Sequence, residues 1–264
     1  MKCIACGSNK LAKYPHPLYK RCLNCGSIVQ TKDICEISDY YEKTVLSFTH
    51  QRGSYKSYLS TIVNGIDISN YYLIDVGAGD GTFVLESRQH SFRNVFGYDI
   101  SPSAVKYLKE KNLYINLDEI KSLKPKIITA FQVIEHLGDP DSFLRSLDFR
   151  TDDILVLTAP GVDSPTAQKH HKTGDWISLS PSHHLCLYSK KGIFNLLYNN
   201  NFSVMYYDYV WSACHGAIDN AMKYLIKITT CTIKNIIGRC TRYPSFYWKN
   251  SFILIAKKTD GQSF

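Results

Sequence analysis

Leu73 to Phe83, reading LIDVGAGDGTF, constrains this chain more than any other stretch. An apolar run ends in Asp75, glycines follow at Gly77, Gly79 and Gly81, and a helical pattern begins at Thr82. Glycine at those places permits a tight strand-to-helix turn and lets bare backbone approach a ligand. The next strand ends in Tyr98-Asp99-Ile100, where the Asp99 carboxylate can accept hydrogen bonds from ribose hydroxyls. Strand, glycine turn, helix and acid together predict a pocket for a nucleoside cofactor. Asp99 has a second reading as a helix-capping acid beside Ser101.

The spelling of the turn narrows the cofactor class. Dinucleotide sites favour G-x-G-x-x-G with a pyrophosphate on the helix N-terminus, whereas Asp75 and Asp80 flank this loop and would repel such a group. The segment resembles the first motif, D-x-G-x-G-x-G, of the class I S-adenosylmethionine-dependent methyltransferases. The resemblance covers roughly Leu73 to Val204. It takes in Phe131-Gln132-Val133-Ile134-Glu135-His136-Leu137, Thr158-Ala159-Pro160, and Ser182-His183-His184-Leu185 before Tyr188-Ser189. This order is similar to the branch holding quinone-biosynthesis O-methyltransferases and zinc-ribbon deoxysugar methyltransferases.

The resemblance implies an α/β fold, a doubly wound Rossmann-like sheet of seven strands, and S-adenosylmethionine as methyl donor. Ligands of such sheets lie outside the carboxyl ends of the strands. With Asp75 at the strand end, Gly77, Ala78 and Gly79 would lie under the methionine part of the cofactor, Asp99 would take the ribose, and Ile100 would sandwich the adenine. Asn116 and Leu117 would meet the adenine edge, and Phe131 and Gln132 would lie near the sulfonium and the amino acid moiety. Gln132 reads equally as a cap for the next helix.

The cysteines add a second element. Cys3, Cys6, Cys22 and Cys25 form C-x2-C-x15-C-x2-C, with Gly7 and Gly26 after each pair, the pattern of a zinc ribbon. A segment this short needs metal binding to hold a fold. Four thiolates leave no open coordination position, so the expected Zn2+ is structural. Cys35, Cys186, Cys214, Cys231 and Cys240 show no pairing pattern and read as small buried residues in a reducing compartment.

Residues 1–36 are therefore expected as the ribbon, 37–70 as a helical lid, and 71–264 as the methyltransferase domain. The lid carries Tyr40, Tyr41, Arg52, Tyr55, Lys56 and Tyr58; Tyr41 either covers the cofactor or packs on the sheet edge. Strands are expected at Tyr71–Val76, Asn94–Tyr98, Leu113–Ile115, Lys126–Ala130, Ile154–Thr158, Val204–Tyr209 and Phe252–Lys257. Ser101 and Pro102 mark the start of a helix running through Lys109. Gly161 to Ser182 reads as an irregular segment on the acceptor side, with Asp175 and Trp176 as a carboxylate and an apolar wall.

Methyl transfer needs an acceptor lone pair in line with the methyl group, and a hydroxyl acceptor needs a base. His184 is the leading candidate, because the resembling family has a His-Leu pair at that place, and His183 is second. His184 is equally readable as a buried histidine hydrogen-bonded to the strand-end backbone, and Glu135-His136 reads as a structural pair. Deoxysugar C-methyltransferases of the ribbon type have Glu-His where His183-His184 stand, which shifts weight toward O-methylation. The expected acceptor is a small molecule, such as a sugar nucleotide or lipid-linked glycan. C-methylation of a nucleotide deoxysugar, quinone or phenol O-methylation, and RNA methylation with the ribbon as docking module are the alternatives.

The formal charge of +8 is scattered, so it does not by itself point to nucleic acid. No apolar leader or membrane-length run is seen, which gives a cytoplasmic expectation. An insertion near 213–245 carries Ile218, Met222, Leu225, Ile226, Ile233 and Ile237 at helical spacing among lysines. That helix reads as tertiary packing, a substrate cover, a subunit contact or a peripheral membrane contact.

Overall fold

The computed structural model describes residues 1–31, 52–176, 178–210 and 250–260. Tyr41, the 213–245 insertion, Cys35, Cys214, Cys231 and Cys240 lie outside the described residues. Two segments without a polar surface face, β6 (Lys126–Phe131) and β7 (Ile154–Pro160), are buried along their whole length. Strands of this kind need cover on both faces and so sit at the centre of a sheet. Around them lie β4 (Tyr72–Val76), β5 (Asn94–Tyr98), β9 (Phe202–Val210) and β10 (Ser251–Lys258) in the order β5-β4-β6-β7-β10-β9. The pairs β4–β5, β4–β6 and β6–β7 are parallel, and β10 runs antiparallel to both β7 and β9.

Alternation along the strands divides the core. Leu73, Ile127, Val156, Ile253 and Ile255 face one layer with Tyr58, Leu59 and Ile62 of α1 (Arg52–Gly65), Phe83 and Val84 of α2 (Thr82–Ser87), and Leu108 of α3 (Pro102–Glu110). Ile74, Ile128, Leu155, Leu157, Phe252 and Leu254 face the other, which includes Ile193, Leu196 and Leu197.

The expected strand at Leu113–Ile115 is reduced to a single parallel bridge between Tyr114 and Gly97, giving six strands in this sheet among the described residues. Its pairing stops because Asn116 immediately starts α4 (Leu117–Ser122) with a capping box. The Asn116 side chain accepts from Glu119 N, and the Glu119 carboxylate accepts from Asn116 N. Gly161 to Ser182 is not wholly irregular. Ser164 caps α5 (Pro165–His170), with Pro165 at the permissive first turn. No helix among the described residues is long and apolar enough to cross a membrane.

The N-terminal segment builds a second sheet from β1 (Leu11–Lys13), β2 (Tyr19–Cys22) and β3 (Ile28–Gln30). Its fourth strand, β8 (Cys186–Leu187), comes from far along the chain, with Val29 opposite Cys186 and Ile28 opposite Leu187. Ser189 caps α6 (Lys190–Asn199) through Gly192 N and donates its hydroxyl to the Cys25 carbonyl. A Cβ at Gly192 would collide with Ser27 Oγ, so the helix approaches the N-terminal sheet at backbone distance. Cys3, Ala5, Cys22, Cys25 and Val29 belong to the same buried cluster as one face of the main sheet.

Candidate functional site

The glycine turn leaves β4 at its carboxyl end. Gly77 has φ +79°, and a Cβ there would stand 2.6 Å from Val133 Cγ2, so only glycine suits both the dihedral and the contact. Asp99 ties the turn to the end of β5: one carboxylate oxygen accepts from Gly79 N at 2.9 Å and the other from Ser101 N at 2.8 Å. Each oxygen keeps lone-pair capacity for a further donor. Ile100 beside it is 76% exposed, which leaves an apolar face open next to the carboxylate. Asn116 and Leu117 start α4 at the neighbouring strand end, with the Asn116 side chain engaged in the capping box. Asp75 is buried and accepts from Thr129 Oγ1 at 2.7 Å. Burial pushes its carboxyl up to about 7, further helped by the negative charges of Asp99 and Asp80 and opposed by the Thr129 hydrogen bond.

Phe131 and Gln132 leave β6 in different directions. Gln132 has φ 57°, and its amide donates to Thr158 Oγ1 at 3.2 Å and Ser251 Oγ at 3.4 Å. Phe131 packs edge-on to Phe83 at 4.8 Å, near Tyr58 at 4.9 Å, and stacks with Tyr55 at 6.2 Å. Such pairs contribute about 0.5–1.5 kcal/mol each beyond area burial. Tyr55 of α1 thus joins the aromatic cluster of Phe83 and Phe131. Burial raises its phenol well above the ordinary range, with Asp75 and Asp80 adding to the effect. Among the lid tyrosines, Tyr55 and Tyr58 both pack on Phe131, and Tyr55 also meets Phe83.

A separate group gathers past the carboxyl ends of β6 and β7. Glu135 and His136 lie on a short 3-10 turn, Ile134–His136, and Leu185 N donates to the Glu135 carbonyl at 2.8 Å. His136 Nδ1 donates to the His183 carbonyl at 2.9 Å, and His184 Nδ1 donates to the Ser178 carbonyl at 2.6 Å. His183 Nδ1 is 2.7 Å from Ser182 Oγ. The ring centroids lie 4.9 Å apart for His136 and His184 and 4.4 Å apart for His183 and His184. Burial lowers His136 to about 4 and His184 to about 3, and it lowers the less buried His183 as well. The three imidazoles are thus neutral near neutrality, and His184 in particular is a weak proton acceptor. Burial pushes Glu135 up to about 8.

The N-terminal sheet roofs this group. Tyr19 Oη donates to the His184 carbonyl at 3.1 Å, and the Gln30 amide donates to the Pro181 carbonyl. Trp176, expected as an acceptor wall, is instead buried with Tyr14, Tyr19 and Ile28, its indole donating to Asn250 Oδ1 at 2.7 Å. Asp175 is exposed and holds His170 at 2.7 Å. The four N-terminal sulfurs converge, with Cys3 Sγ 3.7 Å from Cys25 Sγ and Cys6 Sγ 3.6 Å from Cys22 Sγ, and all four lie within 4.8 Å of one another.

Residues 48–207 match the methyltransferase domain family. The chain belongs to that family. A mouse relative, EEF1A lysine methyltransferase 2, is 34% identical over 82 residues, covering 29% of this methyltransferase chain. This chain spans 34% of that relative's length. A Thermotoga maritima SAM-dependent methyltransferase superposes with a TM-score of 0.50 at 13% identity, over 86% of this chain and 99% of its own. An S-adenosylmethionine-dependent methyltransferase from Mesorhizobium loti gives 0.50 at 12% identity, over 81% and 100%. At such identities these two structures share the fold. The chain is thus a Rossmann-like α/β protein with a mixed sheet.

Sequence reading placed Asp99, Ile100 and the glycines at one strand-end cluster, which the fold brings together. It offered Tyr41 as a cover or a sheet-edge residue, which lies outside the described residues. It read Glu135-His136 as a structural pair, and the fold places that pair beside His183 and His184.

Proposed function

We propose that this methyltransferase moves the methyl group of S-adenosylmethionine onto a hydroxyl oxygen of a small-molecule acceptor, a sugar or glycan intermediate. When bound, the cofactor supplies an electrophilic methyl group on a sulfonium. Asp75 to Gly79 cradle its methionine part, Asp99 takes the ribose hydroxyls, Ile100 and Leu117 flank the adenine, and Asn116 lies at its edge. Phe131 and Gln132 border the amino acid end, with Tyr55 as cover. His183, the more open ring, takes the hydroxyl proton, and His184 positions the loop that carries it.

The observation that carries the acceptor reading is the roof of the N-terminal sheet and the 178–185 loop over the strand ends. It supports a closed, water-poor site holding neutral imidazoles. The four cysteines fit Zn2+, because bonds of about 2.3 Å to a tetrahedral ion imply sulfur separations of about 3.8 Å. That ion would be structural, fixing the roof.

Transfer of labelled methyl to an extract separated into sugar nucleotides, lipid-linked glycans, quinones, RNA and protein tests this reading. Label in a sugar or glycan fraction, lost in Asp99→Ala and His183→Gln, is expected. A second reading, transfer to a protein lysine, draws on the mouse relative's name; label retained in protein would establish it and overturn the first.

A further inference from the structure

We propose that Glu135, His136 and His184 form a second metal site, for a divalent first-row ion of the zinc type, separate from the four cysteines. The Glu135 side chain has no exposure, and neither carboxylate oxygen has a hydrogen-bond partner. A carboxylate buried without partners is costly in its charged form, and a carboxylic acid there leaves its proton unplaced. His136 Nε2 lies 3.9 Å from Glu135 Oε1, too far for a hydrogen bond. What the site lacks is something between these atoms.

The histidines are already oriented as ligands. A carbonyl can only accept, so His184 carries its proton on Nδ1, toward Ser178, and its lone pair on Nε2, while His136 donates from Nδ1 to the His183 carbonyl. Metal-ligating histidines are held this way, one nitrogen on the ion and the other donating to a fixed acceptor. One ligand atom from each of Glu135, His136 and His184 falls in a group whose members all lie within 4.8 Å of one another. Bonds of about 2.0–2.2 Å to one ion place ligand atoms roughly 3–4 Å apart, so modest side-chain rotation closes the set.

Both ligand-bearing segments are fixed by backbone: Leu185 N on the Glu135 carbonyl, and Tyr19 Oη on the His184 carbonyl. One carboxylate and two imidazoles suit zinc-type ions and leave an open coordination position. If the proposed O-methylation holds, on which this last step rests, that position would take the acceptor oxygen and lower the pKa of its hydroxyl.

Cobalt titration of the full chain, stripped of metal, tests the site without any acceptor or cofactor. Ribbon cobalt shows thiolate-to-metal charge transfer; the second site would add d–d absorption without it. Two equivalents are expected for the wild type and one for Glu135→Gln, its thiolate band intact as the control for folding. His184→Gln supplies the same comparison if Glu135→Gln loses that band. A wild type that takes only the thiolate-bound equivalent, or a second equivalent that survives these substitutions, overturns the proposal. The outcome is independent of whether any methyl acceptor is ever labelled.

Discussion

Replacing Asp75 with asparagine should stabilise the cofactor-free protein above neutral pH while weakening its hold on the cofactor. Asp75 is buried at the end of β4, and burial moves its carboxyl from the ordinary 3.8 up to about 7. At about 1.36 kcal/mol per pKa unit that gap is worth about 4 kcal/mol. The folded pKa is the higher one, so the folded state binds more protons between about pH 4 and pH 7. Stability is therefore full below that window and falls as pH rises through it. Asparagine does not titrate, and its Oδ1 can still accept from Thr129 Oγ1, the present partner at 2.7 Å. Urea unfolding of the cofactor-free proteins at about pH 5 and about pH 8 isolates the effect, because all other groups titrate alike in both. Asp75→Asn should gain about 2–4 kcal/mol over the wild type at the higher pH relative to the lower. A difference that is the same at both pH values would refute the argument. Ionised Asp75 offsets the cofactor's positive charge, so calorimetry should show the variant binding S-adenosylmethionine about tenfold more weakly.

Further expectations follow from the same contacts. Tyr55→Ala removes the ring that stacks on Phe131 and meets Phe83, and should cost about 1–3 kcal/mol by thermal unfolding as well as weaken cofactor binding; Tyr55→Phe should retain both. Gly192→Val drives a side chain into Ser27 and should destabilise by about 1–3 kcal/mol, read by the same unfolding assay. Chelation, or Cys22→Ser, should release zinc and raise amide exchange across β3, β8 and the 178–185 loop, while the glycine turn, tied by Asp99 to Gly79, keeps its protection.

Much of the main sheet was legible because β4, β6 and β7 are apolar runs bounded by turn signals, and Pro102 and Ser189 mark helix starts. Leu113–Ile115 carried the same apolar signal, but the capping box at Asn116 stops it after one bridge. The pairing of Ile28–Val29 with Cys186–Leu187 was not legible, since a two-residue strand has no period and its partner lies far away in the chain. For the same reason the sequence separated ribbon from catalytic domain, while the fold shares one buried cluster between them. Trp176 illustrates a different limit. An aromatic in an acceptor-side segment reads as a pocket wall, yet the N-terminal sheet claims its face and Asn250 its indole nitrogen. Glu135-His136 reads as a structural pair in the sequence, because His184 is brought beside it only by the 178–185 loop.

The most direct test of the account is the destination of a labelled methyl group. With the full chain and S-adenosylmethionine, label should appear in a sugar or glycan hydroxyl ether, and His183→Gln should abolish it while cofactor binding persists. Label found in protein or RNA, or turnover unchanged in that variant, would contradict the account.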